Sequence, residues 1–172
     1  TPKSFAESLG LDFDDYVSIT SYTHHPFYES FIIEAPYKWR PRLSYNVPID
    51  TLMSIIDTAL DKGYNVCWGG DVSDNGFDRQ GLAQETTEPN QQLRQQRFDT
   101  WDATYDHVML IYGKAVDKYG RKYYMVKNSW GETGNYQGIW FMRDKYIAMN
   151  TTYIFLNRHA LKNKNILYER SN

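Results

Sequence analysis

Asp106-His107-Val108-Met109-Leu110-Ile111-Tyr112-Gly113-Lys114-Ala115-Val116-Asp117-Lys118-Tyr119-Gly120-Arg121-Lys122-Tyr123-Tyr124-Met125-Val126-Lys127-Asn128-Ser129-Trp130-Gly131 is the stretch on which the fold turns. Two runs rich in aliphatic, β-branched and aromatic residues, His107 to Val116 and Lys122 to Lys127, flank a turn at Asp117-Lys118-Tyr119-Gly120, which predicts an antiparallel hairpin. His107 stands about ten residues before the turn and Asn128 about eight after it. Closing the hairpin therefore brings both to the same end of the strand pair. A mismatch of about two or three residues remains, ~7–10 Å at a strand rise of ~3.3 Å per residue, and a bulge or bend has to absorb it.

Outward from the hairpin, Gln137 to Arg143 and Thr151 to Asn157 supply two more candidate strands. Upstream, Tyr16 to Thr20, Phe31 to Ile33 and Tyr64 to Trp68 read as short strands, with Gly69-Gly70 expected to break the last one. From Ile49 to Leu60 apolar residues fall at 49, 52, 53, 55, 56, 59 and 60, the spacing of a helix with one buried stripe, punctuated by Pro48 and Gly63. Residues 73–100 are polar and read as a surface excursion with some helix, and about 160–172 as a polar, poorly packed tail. A mostly antiparallel β-half preceded by a helix predicts an α+β architecture, with residues 1–172 as one domain.

Composition narrows the function classes. In 172 residues, 41 % apolar, 16 % aromatic and 23 % charged residues exclude intrinsic disorder as a description of the whole chain. A formal net charge of −2 lacks the basic excess that phosphate-backbone binding uses, so nucleic acid is not an expected partner. No run approaches the ~20 apolar residues of a bilayer span, and no secretory signal pattern opens the chain, so no membrane partner and a cytoplasmic setting are expected. The single cysteine, Cys67, can form neither an internal disulfide nor a multi-cysteine zinc site, and neither cofactor nor metal is expected. Thr1, in place of Met, suggests a processed chain or one cut from something longer.

A histidine that meets a side-chain amide has a chemical use. The amide oxygen accepts from one ring N–H, which fixes the tautomer and frees the other nitrogen to take and return a proton. Trp130, two residues after Asn128, could cover that contact and exclude competing water, with Gly131 turning the backbone beneath it. Spacing alone leaves the alternative open: His107 as a hydrogen-bonded, half-buried strand residue and Asn128 as a turn former.

Asp106-His107-Val108-Met109 followed by Lys127-Asn128-Ser129-Trp130-Gly131 is similar to the histidine and asparagine motifs of papain-like cysteine peptidases. More narrowly, Asp15-Tyr16-Val17-Ser18-Ile19-Thr20-Ser21, Pro26-Phe27-Tyr28, Asn46-Val47-Pro48 and Trp68-Gly69-Gly70-Asp71-Val72-Ser73 resemble the bleomycin hydrolase and aminopeptidase C branch. The resemblance implies a β-rich, antiparallel barrel-like lobe with flanking helices, the C-terminal catalytic portion of a longer thiol aminopeptidase. It makes His107 the general base and acid, Asn128 its orienting partner and Trp130 the shielding residue. It also implies peptide substrates, an N-terminal Cys-bearing portion as partner, and a homo-hexamer as the common assembly of the full-length protein.

The family's nucleophilic cysteine and oxyanion-hole glutamine precede the histidine, and no matching segment occurs here. Cys67 lies in Tyr64-Asn65-Val66-Cys67-Trp68-Gly69, a strand context without a Cys-Trp helix opening, and reads as a small packed hydrophobe. Cys67, Trp68 and Gly69 are candidates to line the cleft. The chain is thus expected to be inactive alone, either as part of a longer enzyme or as a truncated relative that acts as a peptide-binding or assembly module. Three further features read as structural. His24 and His25 on a strand would face opposite ways and could not share a metal; His159 has no nameable partner; and Asp71-Val72-Ser73-Asp74-Asn75-Gly76 starts like a calcium loop but has Leu82 where a bidentate Glu is needed.

Overall fold

In the computed structural model the residues described are 1–35 and 42–161. They form, in order, α1 (Pro2–Ser8), β1 (Tyr16–Thr20), β2 (Ser30–Ile32), β3 (Leu43–Asn46), α2 (Ile49–Asp61), β4 (Val66–Gly70), β5 (Phe77–Asp78), β6 (Leu82–Ala83), α3 (Gln91–Asp99), β7 (His107–Val116), β8 (Lys122–Lys127), β9 (Ile139–Arg143), α4 (Asp144–Asn150) and β10 (Thr151–Asn157). Short 3-10 turns cover Phe13–Asp15 and Arg158–Leu161. One ten-stranded sheet runs in the order β2-β3-β1-β10-β4-β7-β8-β9-β6-β5. Its pairings are antiparallel except β1 with β3 and β6 with β9.

The apolar stripe of α2 packs on this sheet. Leu52, Ile55, Ile56 and Ala59 are buried against Val66 and Trp68 of β4, Ile111 of β7 and Val126 of β8. Each buried Leu or Ile contributes about 1.5–3 kcal/mol relative to exposure. Pro48 cannot cap α2 with a side chain, and the capping acceptor comes from α3, where Gln91 Oε1 accepts from Ile49 N–H at 2.8 Å. Lys122 of β8 bonds Asp57 of α2 at 2.6 Å, tying the helix to the hairpin.

The hairpin contains the expected bulge. Val116 pairs with Lys122 and Gly113 with Met125, but Ile111 pairs with Val126, so Tyr112 is an extra residue on β7. Extending the register from the turn would leave His107 about three residues beyond the level of Asn128, and the bulge cuts this to about two. The chain closes the rest by leaving the ladder after Lys127, where Asn128 N–H donates to Gly138 O at 3.0 Å.

Three expectations are corrected. Gly69 and Gly70 do not break the strand but continue β4, pairing with Val108 and His107. They are glycines because a Cβ on Gly69 would lie 2.6 Å from the Tyr153 ring and one on Gly70 only 2.3 Å from the Asn150 carbonyl oxygen. Residues 73–100 are more than a surface excursion, because β5 and β6 extend the sheet through β9 and α3 buries Arg94 and Gln95. The tail cannot begin at 160, since Ala160 and Leu161 are buried in the core; its remainder, 162–172, lies outside the described residues.

Candidate active site

His107 opens β7 and Asn128 follows β8, and their side chains meet: His107 Nε2 lies 2.8 Å from Asn128 Oδ1. A second contact fixes which way the amide points. Ser129 N–H donates to the same Oδ1 at 2.7 Å, so that atom is the carbonyl oxygen and the imidazole must donate from Nε2. The neutral ring then carries its lone pair on Nδ1, where it can accept a proton from an acid brought against it and later return it. Asn128 is buried, and no described residue bonds its Nδ2.

Trp130 lies against the imidazole with ring centroids 4.8 Å apart and the planes tilted by 33°. It is itself braced edge-on by Phe77 and Trp140, at 6.3 and 5.6 Å. The indole, itself 40 % exposed, covers one side of the imidazole. Gly131 turns the chain at φ +74°, a conformation that favours glycine.

The register of β4 with β7 places Cys67. Gly70 sits opposite His107, Trp68 opposite Met109, Gly69 opposite Val108 and Cys67 opposite Leu110. Side chains alternate along each strand, so His107, Met109 and Trp68 share the core face whereas Cys67, Val108 and Leu110 share the other. Cys67 therefore faces away from His107, and burial pushes its thiol above the ordinary cysteine range. Trp68 is no cleft-lining residue: it is fully buried and its indole N–H donates to Thr151 Oγ1 at 2.7 Å. Gly69 is covered by the rings of Tyr153 and Tyr105.

Beside the dyad, Asp71 organises its loop rather than binding a cation. Oδ1 accepts from Ser73 and Asp74 N–H and Oδ2 from Thr104 N–H, at 2.7, 3.1 and 2.6 Å. Asp106, next to His107, accepts from Val72 N–H at 3.0 Å; burial, together with the nearby Asp71 charge, raises its carboxyl above the usual range. His159, for which the sequence offered no partner, lies 3.3 Å from Asp15 Oδ1.

The expectation for His24 and His25 is also overturned. They occupy a bend, not a strand, and both rings converge on Glu34: His24 Nε2 is 3.1 Å from Oε2 and His25 Nε2 is 2.9 Å from Oε1. Strand alternation does not apply in a bend. Glu34 was missed because nothing in the sequence marks a contact made by the return of β2.

The architecture is α+β of the papain-like cysteine peptidase class: the crystal structure of PepW from Lactobacillus rhamnosis HN001 matches with a TM-score of 0.74 over 93 % of this chain and 39 % of its own, at 21 % identity. A sequence model of the Peptidase C1-like family matches residues 1–170, and the chain belongs to that family. It is 25 % identical to the aminopeptidase C of Lactobacillus helveticus over 98 % of its length, and 25 % identical to that of Lactobacillus delbrueckii subsp. lactis over 94 %. The chain spans 39 % of the length of each of these relatives.

Proposed function

We propose that this chain supplies the imidazole and carboxamide of a cysteine aminopeptidase active site whose thiol is carried by polypeptide outside these 172 residues. The observation that carries the proposal is the 2.8 Å contact from His107 Nε2 to an Asn128 oxygen already fixed by Ser129. Nδ1 of His107 takes the proton of the incoming thiol. The thiolate attacks the peptide carbonyl, and the imidazolium returns the proton to the departing amine. Asn128 holds the ring at the tautomer this requires, and Trp130 keeps water from one side of the bond. Cys67 is not the nucleophile, because it lies on the opposite face of the sheet and burial favours its neutral form. Peptides and a Cys-bearing portion of the same enzyme are the partners, in a cytoplasmic setting.

Release of a fluorophore from an aminoacyl derivative tests this. The isolated chain should give no turnover. Co-expressed with the Cys-bearing portion of a related aminopeptidase C, it should give turnover that His107→Ala lowers by about 10²–10⁴-fold, the contribution typical of a positioned proton-transfer group. Turnover by the isolated chain that His107→Ala abolishes would overturn the placement of the thiol. Reconstituted turnover indifferent to His107→Ala would overturn the dyad, and peptide binding without turnover would leave a non-catalytic binding module.

A further inference from the structure

A second histidine cluster lies away from the dyad, where the bend after β1 meets the residues that follow β2. One ring nitrogen of His24, one of His25 and a carboxylate oxygen of Glu34 all lie within 4.8 Å of one another. A surface ion pair needs a single imidazole, whereas here two rings converge on the two oxygens of one carboxylate.

Both rings are held from behind. His24 stacks on Phe98 at 5.4 Å and 10° between planes, and His25 on Phe31 at 4.2 Å and 23°. The far nitrogen of His24, Nδ1, faces the carboxamide of Gln95, with Oε1 at 3.2 Å and Nε2 at 2.9 Å. That amide is buried and fixed, accepting from Thr23 N–H at 2.6 Å and donating to Asp99 at 2.8 Å. It can accept from Nδ1–H when Nε2 of the ring is a ligand, and donate to Nδ1 when it is not. The backbone of the bend is pinned by buried Asn46, whose Nδ2 donates to the carbonyls of Tyr22, His25 and Pro26 at 2.8, 3.0 and 3.0 Å.

We propose that His24, His25 and Glu34 bind one divalent transition-metal ion of the zinc, cobalt or nickel type. Two neutral imidazoles and one carboxylate form the donor set that borderline ions prefer, with a net charge that complements a dication. Bonds of ~2.0–2.1 Å put the ligand atoms of a tetrahedral site ~3.3 Å apart; each ring already lies 3.1 or 2.9 Å from one of the two Glu34 oxygens, and the full set, taking one oxygen, falls within 4.8 Å. The side chains are 28 %, 36 % and 59 % exposed, so the fourth position opens to water, and Glu34, the most exposed of the three, can move to close the last gap onto the held rings. Gln95 supplies the partner that a metal-bound imidazole requires on its other nitrogen. The bound ion clamps the bend after β1 to the residues beyond β2, and through Gln95 to α3.

The metal-freed chain titrated with Zn²⁺ by calorimetry, and with Co²⁺ by visible absorption, tests the site. One ion should bind, His25→Ala and Glu34→Gln should each weaken it by at least ~10–100-fold, and Cys67→Ser and His107→Ala should leave it unchanged. Zn²⁺ should raise the Tm of the parent chain and not that of the Glu34→Gln variant; Glu34 is an exposed residue, and circular dichroism verifies that its variant is folded. Absence of binding, binding undiminished in both ligand variants, or binding lost in Cys67→Ser would each overturn the proposal.

Discussion

Two histidines of this chain each meet a side-chain amide, and the arrangements differ in what faces the other ring nitrogen. At His107 the amide of Asn128 is held by one backbone N–H, and neither its Nδ2 nor the imidazole Nδ1 has a hydrogen-bond partner among the described residues. At His24 the amide of Gln95 is bonded to Thr23, Asp99 and the ring, and the ring's other nitrogen meets Glu34. The first arrangement orients a ring and leaves it able to exchange protons. The second orients a ring toward a fixed negative charge, where it can hold but not shuttle. A carboxamide beside an imidazole thus specifies a tautomer, and the opposite nitrogen decides the use.

The strongest way to separate the two regions is through α3, whose Gln95 bonds His24 and which makes no hydrogen bond to His107 or Asn128 among the described residues. Arg94 is fully buried with no carboxylate beside it among the described residues, and its guanidinium donates to the carbonyls of Ser21 at 2.8 Å, Ala148 at 2.9 Å and Thr151. Arg94→Met keeps the stem and strands these acceptors, each worth about 1–3 kcal/mol when left unmet. Denaturant unfolding should show a loss of about 3–5 kcal/mol, with the His24 and His25 ring resonances perturbed more than those of His107. Equal perturbation of all three would mean that the regions are not independent.

A smaller effect is expected at the dyad. Asn128→Ala leaves the imidazole present but unheld, and misplacement of this kind costs about 10²-fold in turnover of the reconstituted enzyme. The same change should release the ring tautomer, read as loss of a single Nε2–H form in nitrogen-15 spectra, while His24 keeps its own.

Smallest is the acid sensitivity of the loop that docks on α3. Glu85 pairs with Arg97 at 2.9 Å; burial opposes its ionisation, but the Thr87 N–H and Arg97 outweigh burial and hold its carboxyl below the usual range. A folded-state pKa below the unfolded value of ~4.3 gives stability that is present above that pH and lost as pH falls through the folded value. Glu85→Gln should therefore cost about 1 kcal/mol near pH 7, with the difference from the parent chain fading as pH drops below ~4.3. A constant difference across that range would show that the pair's charge is not what stabilises the loop.

Much of this was legible in the sequence. β10 spans the run Thr151–Asn157 as read, α2 begins at Ile49 and ends one residue beyond the predicted Leu60, and the count of residues across the hairpin required the irregularity found at Tyr112. These features follow from local periodicity and turn chemistry, and hairpin arithmetic brings His107 and Asn128 to the same end of the strand pair, although spacing alone left their contact open. What was hidden depends on distant backbone. Arg94 sits among glutamines and reads as solvated, yet its partners are carbonyls 54 to 73 residues away in the chain. The convergence of His24 and His25 on Glu34 depends on a bend that no periodicity announces. β5 and β6 are two residues each, too short to carry an alternation.

The paired glycines of β4 also constrain how this chain can vary. The obstacle at Gly69 is the outer edge of the Tyr153 and Tyr105 rings, which smaller side chains at 153 and 105 would clear, so an alanine there is open to a lineage that changes these positions together. At Gly70 the obstacle includes a main-chain oxygen that no exchange of side chains removes. The first glycine can drift in company; the second is frozen.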